Sequence, residues 1–443
     1  MSSNGHQVAL LPFGSVSRSH ALGLLRRAVG LASLGGIAAG SLIIVTAAAS
    51  YSQLLVPARW GGLPGWLRGP LSDTGFLLPP SRFAYVFLFM TACYLAALLC
   101  APALGTRWIV AAICVVHVIF FLGPPLISAD IFAYLDWARM GPLYGLNPYA
   151  TDSGTVVSDP VHGFVRWHSL TSPYGPLFTL GTYGLVPLGL PGSFWALKLL
   201  TTLSSLGCVA LIWRCAVALE RSPRFGILLY GLNPAVLVYT IGGFHNDAIM
   251  MLGVLGAVYL VVTGREAGAG VVGALAVGVK SSAGLVMPFL LIGSPQRRRT
   301  LVAGVAAGVA ILLVGLIAFG SHALDFVNVL GTQQEFNSGS SVPAQLGAWF
   351  GWTGSPPTVR LVASLAGAAA ILFLLWRAWR GSDWIECAGW ATLAVMVTSS
   401  WLLAWYVVWL VPLASLARSR LLQAGAVAMT LFVILVRMVP FLD

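Results

Sequence analysis

The chain has 443 residues, of which 58% are hydrophobic and only 8% are charged, with a mean hydropathy of +0.88. A soluble globular domain carries about 25% charged residues, so this composition excludes one and calls for an all-α polytopic membrane protein. The formal net charge of +11 does not gather on a soluble face, which argues against nucleic acid as a partner.

An apolar stretch needs about 20 residues to cross a bilayer, and the chain offers about thirteen such spans. In order they are 30–50, 83–101, 108–126, 194–219, 225–243, 248–263, then 269–292 split around Lys280 into two short spans. The last five are 301–320, 359–376, 385–399, 402–416 and 421–439. Fifty glycines suit helices that approach closely in lipid. The six cysteines all fall inside these runs, without zinc spacing or a disulfide framework. No cleavable leader is expected, because the N-terminus is polar and the first apolar run is long.

The segment 174–191 decides the parity of the topology. It is apolar but broken by Gly175, Pro176, Pro187 and Pro191. If it stays on the outer side as a re-entrant or interfacial pair of helices, the inner side holds 15 of the 24 basic residues and 4 of the 13 acidic ones. The whole formal excess then lies inside, as the positive-inside rule demands. The expected organisation is a cytoplasmic segment 1–29 and one transmembrane domain 30–443, with outer loops 127–193 and 321–358. The second loop, rich in Gly, Ser, Gln and Pro, reads either as a lid or acceptor-binding loop or as a plain connector.

The longest polar interruption runs from Ser128 to Pro176. It carries Asp130, Asp136, Asp152 and Asp159 with two arginines and two histidines. A short amphipathic helix along the interface would put Asp130, Tyr134 and Trp137 on one face. An ionisable group at that depth points to function; alternatively, Ser128 or Asp130 caps the helix. Asp136 and Arg139, three apart, are expected to pair, and Asp152 and Asp159 to be solvated. Asn147-Pro148-Tyr149 and Ser172-Pro173-Tyr174-Gly175-Pro176 are turn chemistry, with tyrosines that either stack on a sugar or pack.

His245-Asn246-Asp247 forms a polar turn between two outer span ends. It reads as a self-bonded cap, as support for a catalytic carboxylate, or as hydroxyl recognition. One His, one Asn and two Asp could also ligate a divalent cation, but the spacing is not diagnostic, and no metal or cofactor is assigned. Lys280, Arg166 and Lys198 are outer-side cations suited to a lipid-linked phosphate. Trp401, Trp405, Tyr406 and Trp409 read first as an interfacial belt and second as a sugar or isoprenoid platform. No Walker loop or dinucleotide fingerprint is present, so a cytosolic nucleotide is not the expected substrate.

Taken as an ordered set, these motifs resemble a known family. Asp130 with Tyr134, Gly145-x-Asn147-Pro148-Tyr149, Tyr174-Gly175-Pro176, Asn233-Pro234, His245-Asn246-Asp247 and Lys280 look like the actinobacterial polyprenol-phosphomannose-dependent α-1,6-mannosyltransferases, of the C-type glycosyltransferase (GT-C) fold. The resemblance covers roughly residues 127–288. It implies mannose transfer from a polyprenyl-phosphate mannose to a glycolipid or lipoglycan acceptor on the outer face of the bacterial plasma membrane. Asp130 would be the general base, supported by His245 and Asp247. Lys280, Arg166 and Lys198 would meet the donor phosphate, and Tyr134, Asn147, Tyr149, Tyr174 and Asn246 the substrates. Arabinose or glucose donors would use the same logic. A lipid-linked-sugar flippase is the rival from another class, but it predicts ionisable residues at mid-membrane and inverted repeats, and neither is visible.

Overall fold

A computed structural model describes residues 13–49, 64–71, 76–326 and 336–442, with backbone only at 13–19 and 49. Residues 1–12 of the expected N-terminal segment and 327–335 of the second outer loop lie outside the described residues. The chain is an all-α polytopic membrane protein: no strand occurs among the described residues, and each expected span is helical. Six of the described helices are long and apolar enough to cross a bilayer by length and composition, and six shorter apolar helices accompany them. The first helix, Phe13–Ala49, is one unbroken rod of 37 residues that runs through residue 30.

Small residues set the closest helix crossings. At Gly270 in Glu266–Val279, an added Cβ would lie 2.1 Å from the Thr300 carbonyl oxygen of Arg297–Phe319. Only glycine permits that approach. Arg297–Phe319 and Pro357–Trp379 are the two most lipid-exposed rods, with 6% of each apolar window buried. They are apolar on all faces because lipid covers them.

The polar connections segregate to two ends. At one end Arg221 pairs with Asp383, Arg224 donates to the Leu104 carbonyl, and Glu386 accepts from the Arg418 and Ser419 N–H groups. At the other end Leu126 N–H donates to Gly242 O, His245 meets Asp130, and Ser338 N–H donates to Ser400 O.

The broken segment 174–191 does not cross as one rod. Pro176–Tyr183 is a helix of eight residues, about 12 Å long and far short of a bilayer. A 3₁₀ turn, Val186–Leu188, and Gly189 at φ +69° then redirect the chain into the 30-residue helix Gly189–Ala218. Gly175 starts the short helix against Glu266–Val279, where an added Cβ would sit 2.1 Å from Gly278 O.

Two expectations for the outer loop need correction. Arg139 does not pair with Asp136: its Nε donates to Asp159 at 2.8 Å. Asp159 is buried rather than solvated, and it also accepts from Tyr144 OH at 2.6 Å and the Val161 N–H at 2.9 Å. The loop folds back over the helix and brings a carboxylate that sequence spacing could not reveal. For the same reason the helix Asp130–Tyr144 is covered on nearly every side as far as Met140, rather than lying half-exposed along an interface. Asp152 is exposed, as expected.

Candidate active site

Asp130 is the first residue of its helix, yet its carboxylate does not cap it. The Asp130 N–H donates to Ser128 Oγ at 3.2 Å, so the serine meets one of the N–H groups that the helix start leaves free. The carboxylate is left for other partners. Trp167 Nε1 donates to Oδ1 at 3.3 Å, and His245 Nδ1 stands 3.3 Å from Oδ2. Burial works against the charge of Asp130. The imidazole beside it, the Lys280 ammonium and the Trp167 N–H outweigh that penalty and hold the carboxyl below the ordinary Asp range.

The backbone that carries this pair is strained on both sides. Ile127, three residues before Asp130, has φ +65°, and Phe244, immediately before His245, has φ +52°. Left-handed non-glycine residues are uncommon and costly. Both are held by the Leu126–Gly242 backbone bond of 2.7 Å. A π-helical turn, Val236–Ile241, feeds directly into the same corner, and such turns are frequent at functional sites. Asn233 starts that turn by accepting from the Ala235 and Val236 N–H groups while donating to Tyr94 and Thr430.

His245 is fully buried, and its ring stacks on Trp405 at 3.8 Å between centroids. Asp247 is fully buried too. It accepts from Lys280 Nζ at 2.8 and 2.9 Å and from Trp409 Nε1 at 2.6 Å. Asn246 joins the groups: its Oδ1 lies 3.4 Å from both Tyr134 OH and Lys280 Nζ. The polar residues singled out on three separate stretches of sequence therefore meet in one cluster.

Two cavities share Asp130. One, of about 110 Å³, is aromatic; Trp137, Tyr174, Lys280, Tyr406 and Trp409 line it. The other, of about 220 Å³, is lined by Ser128, Arg166, Ser338 and Arg437. Asp130, Trp167, Trp401, Leu403 and Trp405 belong to both walls. Phe336 and Ser338, from the second outer loop, close over them; the Phe336 ring stacks on Trp167 at 6.3 Å.

The remaining sequence candidates sit elsewhere. Lys198 lines neither cavity. It is fully buried behind Phe244, 3.6 Å from the Trp195 ring centroid, and donates to the Gly123 carbonyl at the C-terminus of Thr106–Leu122. An N–H donor there satisfies a carbonyl that the helix end leaves free. Asn147 and Tyr149 brace the loop: Asn147 Nδ2 donates to Phe319 O at 2.8 Å, and Tyr149 OH donates to Tyr174 O at 2.8 Å. Tyr134 is buried behind the cavity wall, where burial first, then Asp130 and Asp247, push its hydroxyl well above the usual range. Arg437 and Trp167 escaped the sequence reading, while Trp401, Trp405 and Trp409 line the cavity walls, as the second of their two readings requires. A lone arginine near the outer end of the last span was the one available signal.

Fold and site together define an integral membrane protein with a carboxylate-centred polar cluster at one end of its helix bundle. A family model described as alpha-(1->6)-mannopyranosyltransferase, N-terminal domain, matches residues 27–294, and the chain belongs to that family. An alpha-(1->6)-mannopyranosyltransferase A of Mycobacterium tuberculosis is 28% identical over 349 residues, covering 71% of this chain and 66% of that protein. An alpha-(1->6)-mannopyranosyltransferase B of Corynebacterium glutamicum is 28% identical over 363 residues, covering 69% of this chain and 58% of that protein. The chain thus spans two thirds or less of the length of these curated relatives. No solved structure matches it.

Proposed function

We propose that the protein transfers mannose from a polyprenyl-phosphate-mannose donor to a glycolipid or lipoglycan acceptor of the cell envelope. The reaction takes place on the extracytoplasmic side of the bacterial plasma membrane, with inversion. The observation that carries this reading is the position of Asp130: a carboxylate that does not cap its own helix, on the wall common to two cavities. An acceptor hydroxyl held there attacks the anomeric carbon, the bond from that carbon to the phosphate oxygen breaks, and the hydroxyl proton passes to Asp130. Phosphate leaves as an anion, so no acid partner is required, in contrast to glycosidases with two carboxylates flanking the bond. His245 and Trp167 orient the base. Asp247 is tied to Lys280 and Trp409, and its part is to hold the far wall. Trp137 Nε1 is buried without a partner on the aromatic side and suits a sugar hydroxyl. The sidedness rests on the inner excess of arginine.

Asp130→Asn tests the reading. With purified protein, a synthetic polyprenyl-phosphate mannose and an oligomannoside acceptor, the variant should lose at least about 100-fold in transfer while keeping its thermal unfolding profile. Release of polyprenyl phosphate should require the acceptor. Transfer by the variant at the wild-type rate would remove Asp130 from the chemistry.

A further inference from the structure

The two cavities on either side of Asp130 differ in charge. On the aromatic side the only cation among the described residues is Lys280, and both oxygens of the buried Asp247 already hold it at 2.8 and 2.9 Å. Counting Asp130, two carboxylates face one ammonium there. On the other side, among the described residues, Asp130 is the one carboxylate of the lining, and two arginines, Arg166 and Arg437, line the same cavity. Among the described residues the ion pairs are Arg139–Asp159, Arg221–Asp383, His245–Asp130, Lys280–Asp247 and His322–Asp325. Neither Arg166 nor Arg437 takes part in one.

Arg437 lies near the end of the Arg420–Met438 helix and is half-buried. Its one aromatic neighbour of note is Tyr239, 5.7 Å from the ring centroid. That ring's hydroxyl is itself buried without a hydrogen-bond partner. A guanidinium partly drawn out of water and held in no ion pair is costly to keep. Within a membrane protein such a group points to a ligand.

We propose that the cavity lined by Arg166 and Arg437 beside Asp130 binds a phosphate ester of a lipid-linked substrate, and that Lys280 is not its anchor. Guanidinium matches phosphate oxygens through paired N–H donors, which a single committed ammonium does not. The placement also suits an in-line displacement. The leaving phosphate lies on the arginine side of Asp130, and the neutral glycan hydroxyl arrives from the aromatic side. The inference rests on the transfer reading above for its geometry, but its phosphate chemistry can be measured without turnover. Two sources carry the same group: the phosphodiester of the sugar donor, and a phosphate borne by an acceptor lipid.

The experiment is equilibrium binding to the full chain in detergent or nanodiscs, followed by fluorescence of the tryptophans that wall the cavity. The probes are a short-chain polyprenyl phosphate without sugar, a phosphoglycolipid acceptor and its dephosphorylated counterpart. Arg437→Gln should weaken binding of the phosphate-bearing probe about tenfold or more, Arg437→Lys should recover part of it, and Arg166→Gln should weaken it less, since Arg166 is exposed. Loss confined to polyprenyl phosphate assigns the site to the donor. Loss confined to the phosphorylated acceptor, with the dephosphorylated one unaffected, assigns it to the acceptor. If Arg437→Gln does not fold, Arg437→Lys and Arg166→Gln carry the comparison. Unchanged affinity for both phosphate probes in folded variants overturns the proposal. A wild-type protein that transfers no mannose from the synthetic donor, while phosphate binding depends on Arg437, would sink the transfer reading and leave the phosphate site standing.

Discussion

Lys280 places its ammonium within 2.9 Å of both carboxylate oxygens of Asp247, a residue with no solvent exposure at all. The pair joins the start of the Asp247–Val262 helix to the chain just past Glu266–Val279. Such a pair is hard to replace one partner at a time, because the survivor is left buried and uncompensated. Lys280→Met should therefore cost about 3–5 kcal/mol of stability, seen as a lowered unfolding midpoint of the purified protein in detergent. The double variant Lys280→Met with Asp247→Asn should recover much of that loss. A single variant as stable as the wild type would show that Asp247 finds another partner.

The contact between Asp130 and His245 makes a prediction about pH. Burial alone would raise the Asp130 carboxyl; the imidazole is the largest influence opposing it, ahead of Lys280 and Trp167. The wild-type profile of kcat/KM should hold down through the ordinary carboxylate range, near pH 4, because the base stays ionised. His245→Phe removes the opposing influence and leaves the burial. Its acid limb should move to higher pH, so that activity lost on the acid side returns as pH is raised. An acid limb that stays in place in His245→Phe would mean that the imidazole does not tune this carboxylate.

The expected spans were legible because lipid imposes one rule on every membrane helix, a run of apolar residues of sufficient length. Every run read that way is a helix here, including the short pair around Lys280. The cluster of Asp130, His245, Asp247 and Lys280 was legible because polar groups at span ends on one side have few places to go. What stayed hidden depends on loops folding back. Arg139 finds Asp159 twenty residues away, and no local spacing announces that. Trp405 and Trp409 look like an interfacial belt until the chain turns their rings onto His245 and Asp247. Arg437 reads as an ordinary outer arginine until the cavity beside Asp130 is seen.

Asp136 supplies a stability test independent of the chemistry. It is buried in the same helix as Asp130 and accepts the Gly154 N–H at 3.2 Å. Burial pushes its carboxyl up to about 6, with the charge of Asp159 adding to the effect and the Gly154 bond and His162 opposing it. The folded value lies above the unfolded one near 3.9, so the folded state holds this proton more tightly. Stability from this group is full below about pH 4 and is lost as pH rises through about 6. Asparagine cannot titrate and still offers an oxygen to Gly154. Asp136→Asn should accordingly match the wild type at pH 4 and exceed it at pH 7.5 by about 1–3 kcal/mol. Unfolding midpoints of both proteins across that range, taken as a difference, isolate this one group from the other titrating residues. A difference that does not change with pH would mean that Asp136 is ionised at no extra cost, and that water reaches it beneath the loop.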